Sequence, residues 1–533
     1  MLGETINQYA VWFLGMALVY TLLLIVIGRK AKKLAQDDVG YFSGNRNFGA
    51  WHVAVCITGL FSGSSFVAIL ELSYNYGLSA IWYGIAESLH VFIIAFFLLS
   101  SFREKLVVTI SGLIGKKYGE LASIISGLIT AITFPMWSTA TALAFASALH
   151  VFTGLSLHLS VIFTALLLFL YLRSGGMWAL GYTQILNVIV SFIMFGVGFY
   201  ALLIEPGLDG LANFVTTHPE YLSPDSIGLQ KIIVWFATFI INTFLAQACF
   251  QMATACKTVE EGRKGLYIAL ILDIFFMIFG VLFGMAAVIK FPYLDKGLVA
   301  FPLYLKSVLP PPLVGIFGLG IWACALGWGA PCQFSGATSL GKDVLGKLSS
   351  NDDNMTDIRY TKISLLVLTL LMICYSLLRS EASAWWNVFA WVVRNSATFS
   401  PVIAALFWPV ATKRGVIYAM ITGFLSGIMW NYLGGWDIIH FYLNIHPIWI
   451  GMSVNIIFLV CISLWDNFSN IKFKLKKKKT ILLFILGFVG LLTLGVNHWY
   501  MLYIKGLLGL VSFSLIFISF ILVILTTEIN LKV

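Results

Sequence analysis

The sequence has very little charge. Of its 533 residues only 11% are Asp, Glu, Lys or Arg, while 60% are hydrophobic and the mean hydropathy is +0.93. A soluble domain is about a quarter charged, so this composition excludes a soluble fold. Segments of about ten residues with alternating hydrophobicity, which mark a membrane β-barrel, are also missing. The composition therefore predicts an all-α polytopic membrane protein.

Sequence patterns for metal binding and catalysis are absent as well. The seven cysteines are scattered along the chain and form no C-x-x-C pair or other metal-ligand spacing. Neither H-E-x-x-H nor G-x-S-x-G occurs, and no carboxylate pair has catalytic spacing. We therefore expect that the protein is not an enzyme, has no catalytic residues or cofactor, and binds at most a sodium ion.

The net charge of +10 lies mainly in short loops between the apolar segments. Clusters of Lys and Arg mark the cytoplasmic side of a membrane protein, and here they alternate with loops that have no such excess. The pattern predicts a multi-pass protein of a bacterial inner membrane, with its N-terminus outside and its C-terminus in the cytoplasm. The charge thus implies a lipid bilayer and no nucleic acid as partner. The basic loops lie at residues 29–33, 116–117, 263–264, 413–414 and 472–479.

Long apolar stretches recur from one end of the chain to the other. Each has about twenty residues, enough to cross a bilayer of about 30 Å as a helix. We predict about 15 transmembrane helices, numbered as spans one to fifteen. They are residues 8–28, 49–71, 78–101, 124–149, 155–172, 181–204, 231–252, 266–289, 313–335, 359–378, 386–409, 415–433, 447–465, 480–496 and 506–527.

Two spans contain residues that disfavour a continuous helix. Span two places Gly59, Ser62 and Ser65 close together, and span seven carries Asn242 and Gln247. If spans 2–6 and 7–11 are the halves of an inverted repeat, these are the first helices of each half. Paired broken helices mark a mid-membrane site in secondary transporters, although small residues also allow close helix packing. The matched positions favour a site, with the four polar residues as candidate substrate-binding side chains.

Four segments resemble one family of membrane carriers. Residues 41–49 (YFSGNRNFG) look like its glycine-arginine entry to the first core helix, and residues 175–187 (GGMWALGYTQILN) resemble its motif G-G-x-x-A-V-x-x-T-D-x-x-Q. Gln251 with residues 257–265 is similar to the loop after its seventh span, and residues 310–343 look like its ninth span. In this order and spacing the chain resembles the sodium/solute symporter family.

The resemblance implies two inverted five-helix repeats, spans 2–6 and 7–11, surrounded by peripheral helices. It also implies a transporter that imports a small polar organic solute, such as an amino acid or a carboxylate, by alternating access. The corresponding segments are an N-terminal peripheral helix and cytoplasmic loop (1–45), the first repeat (46–204), an extracellular loop (205–228), the second repeat (229–435), an additional helix with a basic cytoplasmic loop (436–479) and an accessory C-terminal helix pair (480–533).

The resemblance implies Na⁺ as the coupling ion, but the expected ligands are missing. Family members hold sodium with backbone carbonyls of span two and hydroxyl side chains of span nine, and the hydroxyl positions fall on Gly327, Trp328 and Gly329. Gln184 replaces the family's acidic residue, and an acidic position common in span two falls near Leu60. Sodium prefers hard oxygen ligands and finds no substitute water in hydrocarbon. These losses favour coupling to H⁺, or no coupling.

Other residues remain as candidates for an ion site. Thr58 and Phe61 offer backbone carbonyls, and Ser335 and Thr338 offer hydroxyl groups below the expected position. Helix packing is the alternative explanation for the two hydroxyl groups. The doubtful ion site thus comprises Thr58, Phe61, Gln184, Gly327, Trp328, Ser335 and Thr338.

Ionisable residues at membrane depth are costly and usually functional. Glu87 and His90 share one face of span three, and Arg394 lies at a similar depth in span eleven. The guanidinium fork of Arg394 suits a substrate carboxylate. Glu87 is expected to bind a substrate amine or to carry a proton. His90 is a candidate proton relay, and a lone histidine whose polar groups are satisfied within the fold is the alternative. A structural ion pair between Glu87 and Arg394 is the alternative.

Asp273 is the acidic residue of span eight. It lies about 10 Å inside the span at 1.5 Å per residue. We expect a structural role in which Asp273 pairs with Lys264 or Lys257 near the inner surface.

The leading interpretation is a transporter for a small-molecule solute. Symporter-like modules also serve as input domains of sensor kinases, so a membrane-embedded solute sensor with a separate signalling partner is the alternative. Binding without flux would favour the sensor.

Overall fold

The computed structural model describes residues 7–105, 108–172, 176–294, 297–349, 354–379, 383–437, 440–473 and 477–529. Nearly all of them are helical, because a helix satisfies its own backbone polar groups within a membrane. The α-helices are α1 (Gln8–Ala31), α2 (Asp38–Ser43), α3 (Ala50–Tyr76), α4 (Ile81–Ile93), α5 (Leu99–Lys105), α6 (Ile110–Tyr118), α7 (Glu120–Thr153), α8 (Leu157–Leu172), α9 (Gly176–Ile204), α10 (Gly207–Thr217), α11 (Leu229–Asn242), α12 (Gln247–Ala253), α13 (Val259–Lys290), α14 (Gly297–Val308), α15 (Pro311–Thr338), α16 (Gly346–Leu348), α17 (Asn354–Leu378), α18 (Ser383–Phe407), α19 (Lys413–Leu433), α20 (Pro447–Asp466), α21 (Lys478–Asn497), α22 (Trp499–Ile504) and α23 (Leu508–Thr526).

Within these ranges, 11 helical stretches are long and apolar enough to cross a membrane, or up to 12 if the bent pair α11–α12 is one span. The prediction of about 15 spans is therefore not confirmed. Residues Ala50–Glu104 form one helical stretch, because the 3-10 turn Gly77–Ala80 joins α3 to α4. Leu157–Leu170 is apolar but shorter than a full span. The coarser prediction of a multi-pass helical membrane protein is confirmed.

One small sheet departs from the all-α prediction. β1 (Ile471–Phe473) pairs antiparallel with β2 (Thr527–Ile529), and Lys472 lies opposite Glu528. The strands lie shortly after α20 and α23, where the helical hydrogen-bond ladders have ended. Pairing gives these backbone groups new partners.

The chain divides into two compact units. Unit 1 comprises residues 1–108 and 134–387, and unit 2 comprises residues 109–133 and 388–533. In unit 1, α3 packs most extensively on α13, while α15 packs on α9 and α1. In unit 2, α20 packs on α19 and α23. The division into six segments and the inverted repeats stay predictions.

Helix α3 is continuous, so the expected break in span two is wrong. Its residues are α-helical from Ala50 to Tyr76, including the stretch around Gly59 and Gly63. A Cβ atom on Gly63 would lie only 2.9 Å from the carbonyl oxygen of Cys324 on α15. The small residues of α3 therefore serve close helix packing, which outweighs their low helix propensity.

The break expected in span seven is present. Helix α11 ends at Asn242, α12 begins at Gln247, and the two helices are bent by 52°. The polar residues Asn242 and Gln247 thus lie where backbone groups lose their helical hydrogen-bond partners. Only one of the two expected interruptions occurs.

The core of unit 2 is organised around Asn455 of α20. Its Nδ2 donates hydrogen bonds to the carbonyl oxygens of Ala397 (2.9 Å) and Ala419 (2.8 Å), and its Oδ1 accepts one from the backbone N–H of Ser400 (3.1 Å). One buried amide therefore ties α18, α19 and α20 together. By contrast, α21 is largely exposed.

Candidate functional site

The side chain of Gln184 joins α9 to α15. Its Nε2 donates a hydrogen bond of 2.7 Å to the carbonyl oxygen of Gly327. Its Oε1 accepts one of 3.0 Å from Nδ2 of Asn187, and Oδ1 of Asn187 accepts one of 2.8 Å from the hydroxyl group of Tyr20 on α1. A carboxylate has no proton to donate to a carbonyl oxygen. The amide therefore makes a link that the acidic residue expected at this position could not make.

Helices α3 and α15 touch backbone to backbone at Gly59 and Gly327. A Cβ atom on Gly327 would lie 2.4 Å from the carbonyl oxygen of Gly59, and one on Gly59 would lie 2.2 Å from Oε1 of Gln184. Both distances are shorter than any tolerable contact in a close-packed interior. The two glycines and the amide of Gln184 thus pack closely at the position to which the family resemblance assigns the ion ligands.

Trp328 packs beside this contact. Its Nε1 donates a hydrogen bond of 3.0 Å to the carbonyl oxygen of Trp137. Its ring centroid lies 5.9 Å from that of Phe61 and 6.2 Å from that of Trp137. An indole has one donor and no acceptor, so Trp328 supplies no oxygen ligand. Aromatic rings also surround Phe61, one of the predicted carbonyl ligands.

The remaining candidates do not complete an ion site at Gly327. Thr58 is buried, and no described residue hydrogen-bonds its hydroxyl group. Thr338 donates 2.8 Å to a carbonyl oxygen four residues earlier in its own helix, as the packing explanation predicts. Ser335 donates to Oε1 of Gln251. The side chains present therefore do not fit a sodium ion at the expected place.

Two glutamines hold α12 against α15. Nε2 of Gln247 donates hydrogen bonds to the carbonyl oxygen of Ser335 (2.9 Å) and to Oγ of Ser339 (3.0 Å), and Gln251 accepts from Ser335. At the break itself, Oδ1 of Asn242 is buried without a donor from any described residue. Gln247 and Gln251 thus link α12 to the C-terminal end of α15 and the turn after it. The predicted roles of Asn242 and Gln247 in binding a solute stay predictions.

Two of the buried acids, Glu87 and Asp273, lie on neighbouring helices. Ser65 of α3 donates a hydrogen bond to Oε2 of Glu87 on α4, and Ser88 of α4 donates one of 2.6 Å to Oδ2 of Asp273 on α13. Glu87 is 1% exposed and Asp273 is 5% exposed. The predicted candidates Ser65 and Glu87 are therefore in contact, and both acids are more deeply buried than ordinary surface carboxylates.

The expected pairing of Asp273 with a lysine is wrong. Lys257 and Lys264 are both exposed, and Asp273 receives its hydrogen bond from Ser88 instead. Lys264 also lies about 13 Å away along the axis of α13, counted at 1.5 Å per residue. Ser88 was missed because its only signal in the sequence is its position next to Glu87.

His90 is fully buried between aromatic rings. Its ring centroid lies 5.2 Å from that of Phe61 and 5.9 Å from that of Phe239. Within the described ranges neither ring nitrogen has a hydrogen-bond partner, Glu87 included. A relay from Glu87 to His90 stays a prediction.

Arg394 lies in α18 and belongs to unit 2, whereas Glu87 belongs to unit 1. Its side chain is 1% exposed, and its carbonyl oxygen accepts a hydrogen bond of 2.9 Å from Thr398. The predicted roles of Arg394, as a partner of Glu87 or of a substrate carboxylate, stay predictions.

Comparison with known proteins identifies the family. The profile of the sodium:solute symporter family matches residues 41–423, which include all four of the recognised segments up to position 343. The chain belongs to the sodium:solute symporter family. The resemblance derived from the motifs is thus confirmed, although Gly175, the first residue of the second motif, lies outside the described residues.

Curated members of the sodium:solute symporter family match most of the chain. It is 24% identical over 454 residues to the uncharacterized symporter YidK of Escherichia coli (strain K12), covering 78% of each protein. It is 25% identical over 452 residues to the sodium/proline symporter of Staphylococcus aureus (strain Newman), covering 78% of this chain and 85% of the relative. It is 24% identical over 457 residues to the sodium/pantothenate symporter of Escherichia coli (strain K12), covering 80% and 91%.

A solved transporter shares the fold. The structure of a Na⁺-coupled sialic acid symporter in a substrate-bound, outward-open state aligns with a TM-score of 0.69 at 15% sequence identity. The match covers 85% of this chain and 98% of that one. These relatives are transporters, in agreement with the expectation that the protein is not an enzyme, and they give the sensor alternative no support.

Proposed function

We propose that the protein is a secondary active transporter that imports a small polar organic solute by alternating access. Membership of the symporter family supports transport. The break between α11 and α12, with a buried acceptor of Asn242 that receives no hydrogen bond from a described residue, supports a solute site at this break. Proline, pantothenate and sialic acid, named for three relatives, are all small polar molecules that carry a carboxylate. An amino acid or another carboxylate is therefore the proposed class of solute.

Arg394 is the proposed receiver of the solute carboxylate. A guanidinium group is always charged, and its planar fork matches a carboxylate with two parallel hydrogen bonds. Burial strengthens this preference, since a membrane protein keeps a buried arginine only where a partner or a function requires it. The side chains proposed to bind the other polar groups of the solute are those of Ser62, Ser65, Glu87, Asn242 and Gln247.

For the coupling ion, H⁺ or no ion is proposed in place of Na⁺ at the usual family position. The observation that carries this proposal is the 2.7 Å hydrogen bond from Gln184 to the carbonyl oxygen of Gly327. This hydrogen bond occupies a carbonyl oxygen of span nine where hydroxyl ligands are expected, and Gly59 and Gly327, which meet there, carry no side-chain oxygen.

Uptake by proteoliposomes tests both parts of the proposal. Radiolabelled proline and pantothenate are offered at a fixed membrane voltage, under an inward Na⁺ gradient at equal pH or under an inward proton gradient without Na⁺. We expect uptake that the Na⁺ gradient does not increase, with protein-free liposomes as the control. A steep rise with Na⁺ would show that the coupling proposal is wrong. Absence of uptake and counterflow across a panel of amino acids and carboxylates would refute the solute class.

A further inference from the structure

Unit 1 buries two carboxyl groups without a matching positive charge. Glu87 on α4 is 1% exposed and Asp273 on α13 is 5% exposed. In the part of the chain that the structure describes, neither takes part in an ion pair. An unpaired carboxylate is costly at membrane depth, so a protein that keeps two of them uses them or neutralises them.

Each carboxyl group accepts a close hydrogen bond from one serine, and the hydroxyl group of Ser62 also interacts with Asp273. Ser65 donates to Oε2 of Glu87, and Ser88 donates 2.6 Å to Oδ2 of Asp273. The other oxygens, Oε1 and Oδ1, are buried and receive no hydrogen bond from a described residue. An ionised carboxylate needs donors at both oxygens, whereas a neutral carboxyl group carries its own proton on one of them. The geometry therefore suits groups that bind a proton at the oxygen without a donor.

A small cavity reaches Asp273 from α3. Its volume is about 10 Å³, roughly what a single water requires. Asp273 and Ser62 supply its polar lining, and its other walls are apolar, among them Phe61 and Val91. One water can pass a proton to a carboxyl group, whereas a hard metal cation needs several oxygen ligands, and among the lining side chains only Asp273 and Ser62 carry oxygen.

We propose that Asp273 is the protonation site that couples transport to the proton gradient. Ser88 positions its carboxyl group, and Glu87 is the neighbouring acid whose negative charge opposes ionisation of both groups together. A proton delivered by water forms an O–H bond at Oδ1 of Asp273 and neutralises the carboxylate. On release this bond breaks, and the proton returns to water on the other side of the membrane. This assignment rests on the proposed function and specifies its coupling site.

The surroundings of Asp273 limit what else could titrate with it. Glu87 on α4 is the charged group near enough to interact with it electrostatically. His90 lies one turn further along α4, against Phe61, which lines the cavity. The residues that α3 and α13 themselves contribute to the cavity, apart from Asp273, do not titrate. A proton taken up here is therefore assigned to Asp273, with Glu87 as the acidic neighbour to control among the residues that the structure describes.

Infrared difference spectroscopy of the full-length protein in lipid tests the site without any solute. The C=O stretch of a neutral carboxyl group disappears when the group ionises, so a pH titration reports its protonation. We expect a titrating carboxyl band in the native protein that is lost in Asp273→Asn. It is retained in the control Asp209→Asn, which changes an exposed acid of α10. An unchanged band in Asp273→Asn overturns the proposal.

A second variant covers the case in which Asp273→Asn does not fold. Ser88→Ala removes the hydrogen bond of 2.6 Å that the carboxyl group accepts and therefore disfavours its charged form. The midpoint of the titration should move to higher pH by about one to two units. Ser519→Ala, which changes an exposed serine of α23, should leave it in place. A midpoint that does not move in Ser88→Ala overturns the assignment of the band to Asp273.

Flux measurements separate this proposal from the function on which it rests. In Asp273→Asn, accumulation of radiolabelled proline or pantothenate driven by a proton gradient should be lost, while counterflow at equal pH should continue. Gradient-driven accumulation that survives in Asp273→Asn contradicts the coupling role. If the native protein shows neither accumulation nor counterflow with any solute of the panel, the proposed function fails, and the spectroscopic titration still decides whether Asp273 binds a proton.

Discussion

At position 184 the difference between a carboxamide and a carboxylate lies in what the side chain can donate. The amide nitrogen of Gln184 donates to a carbonyl oxygen of α15, and its oxygen accepts from Asn187. An aspartate would meet the carbonyl oxygen of Gly327 with a second acceptor. One substitution thus converts a position associated with cation chemistry into a hydrogen bond between helices.

Replacing this side chain should destabilise unit 1. Gln184→Ala leaves the carbonyl oxygen of Gly327 and the amide of Asn187 buried without their partners, at a cost of about 1–3 kcal/mol for each unsatisfied group. The midpoint of thermal unfolding in detergent, followed by intrinsic fluorescence, should fall clearly. Gln8→Ala, at an exposed position at the start of α1, is the matched control. Equal midpoints for the two variants would show that the Gln184 link contributes little.

At the scale of helices, α3 and α15 approach most closely where both carry glycine. Gly327→Ala would place a methyl group against the carbonyl oxygen of Gly59, a backbone atom that cannot swing away. Overpacking of this kind costs about 1–3 kcal/mol. Gly329→Ala is the matched control, because its Cβ atom would meet only side chains at 3.5 Å or more. We expect Gly327→Ala to lower the unfolding midpoint and the yield of monodisperse protein, and Gly329→Ala to change neither. Similar behaviour of both variants would contradict the backbone contact.

The helices also show where sequence reasoning succeeds and fails. The polar residues of span seven predicted a break, and α11 ends at Asn242, because polar groups can satisfy backbone atoms that leave the helix. The same reasoning failed for α3, where the neighbouring helix α15 determines whether glycines break or pack. Likewise, nothing in the sequence gives the rotation of α4 that points Ser88 at Asp273.

For the whole molecule, composition and motifs were sufficient to predict a multi-pass helical transporter of the symporter family. Composition is an average over many residues, and the motifs are spread over several segments of the chain. Local packing therefore changes neither of these two signals. The number of spans was harder to predict from the sequence, because it depends on how short turns such as Gly77–Ala80 join successive helices.

The predicted orientation in the membrane can be tested by cysteine labelling. Of the seven native cysteines, Cys374 and Cys461 are exposed and would be replaced, whereas the other five are buried. A membrane-impermeant maleimide should label Asp209→Cys in intact cells. It should label Lys33→Cys only after the cells are made permeable, because basic loops face the cytoplasm. The reverse pattern would invert the topology.

The short sheet of unit 2 has a consequence for the end of the chain. β1 and β2 bring Phe473 beside Thr527, so the chain leaves and returns to the same place after passing through α21, α22 and α23. The indole of Trp408 at the end of α18 also donates a hydrogen bond of 2.9 Å to Thr527. The segment from α21 to α23 therefore forms a loop whose two ends are joined by the sheet. The entropy cost of closing such a loop rises only slowly with its length. Changes in the length or sequence of the exposed α21 should therefore be tolerated, whereas α23 is constrained by its packing on α20.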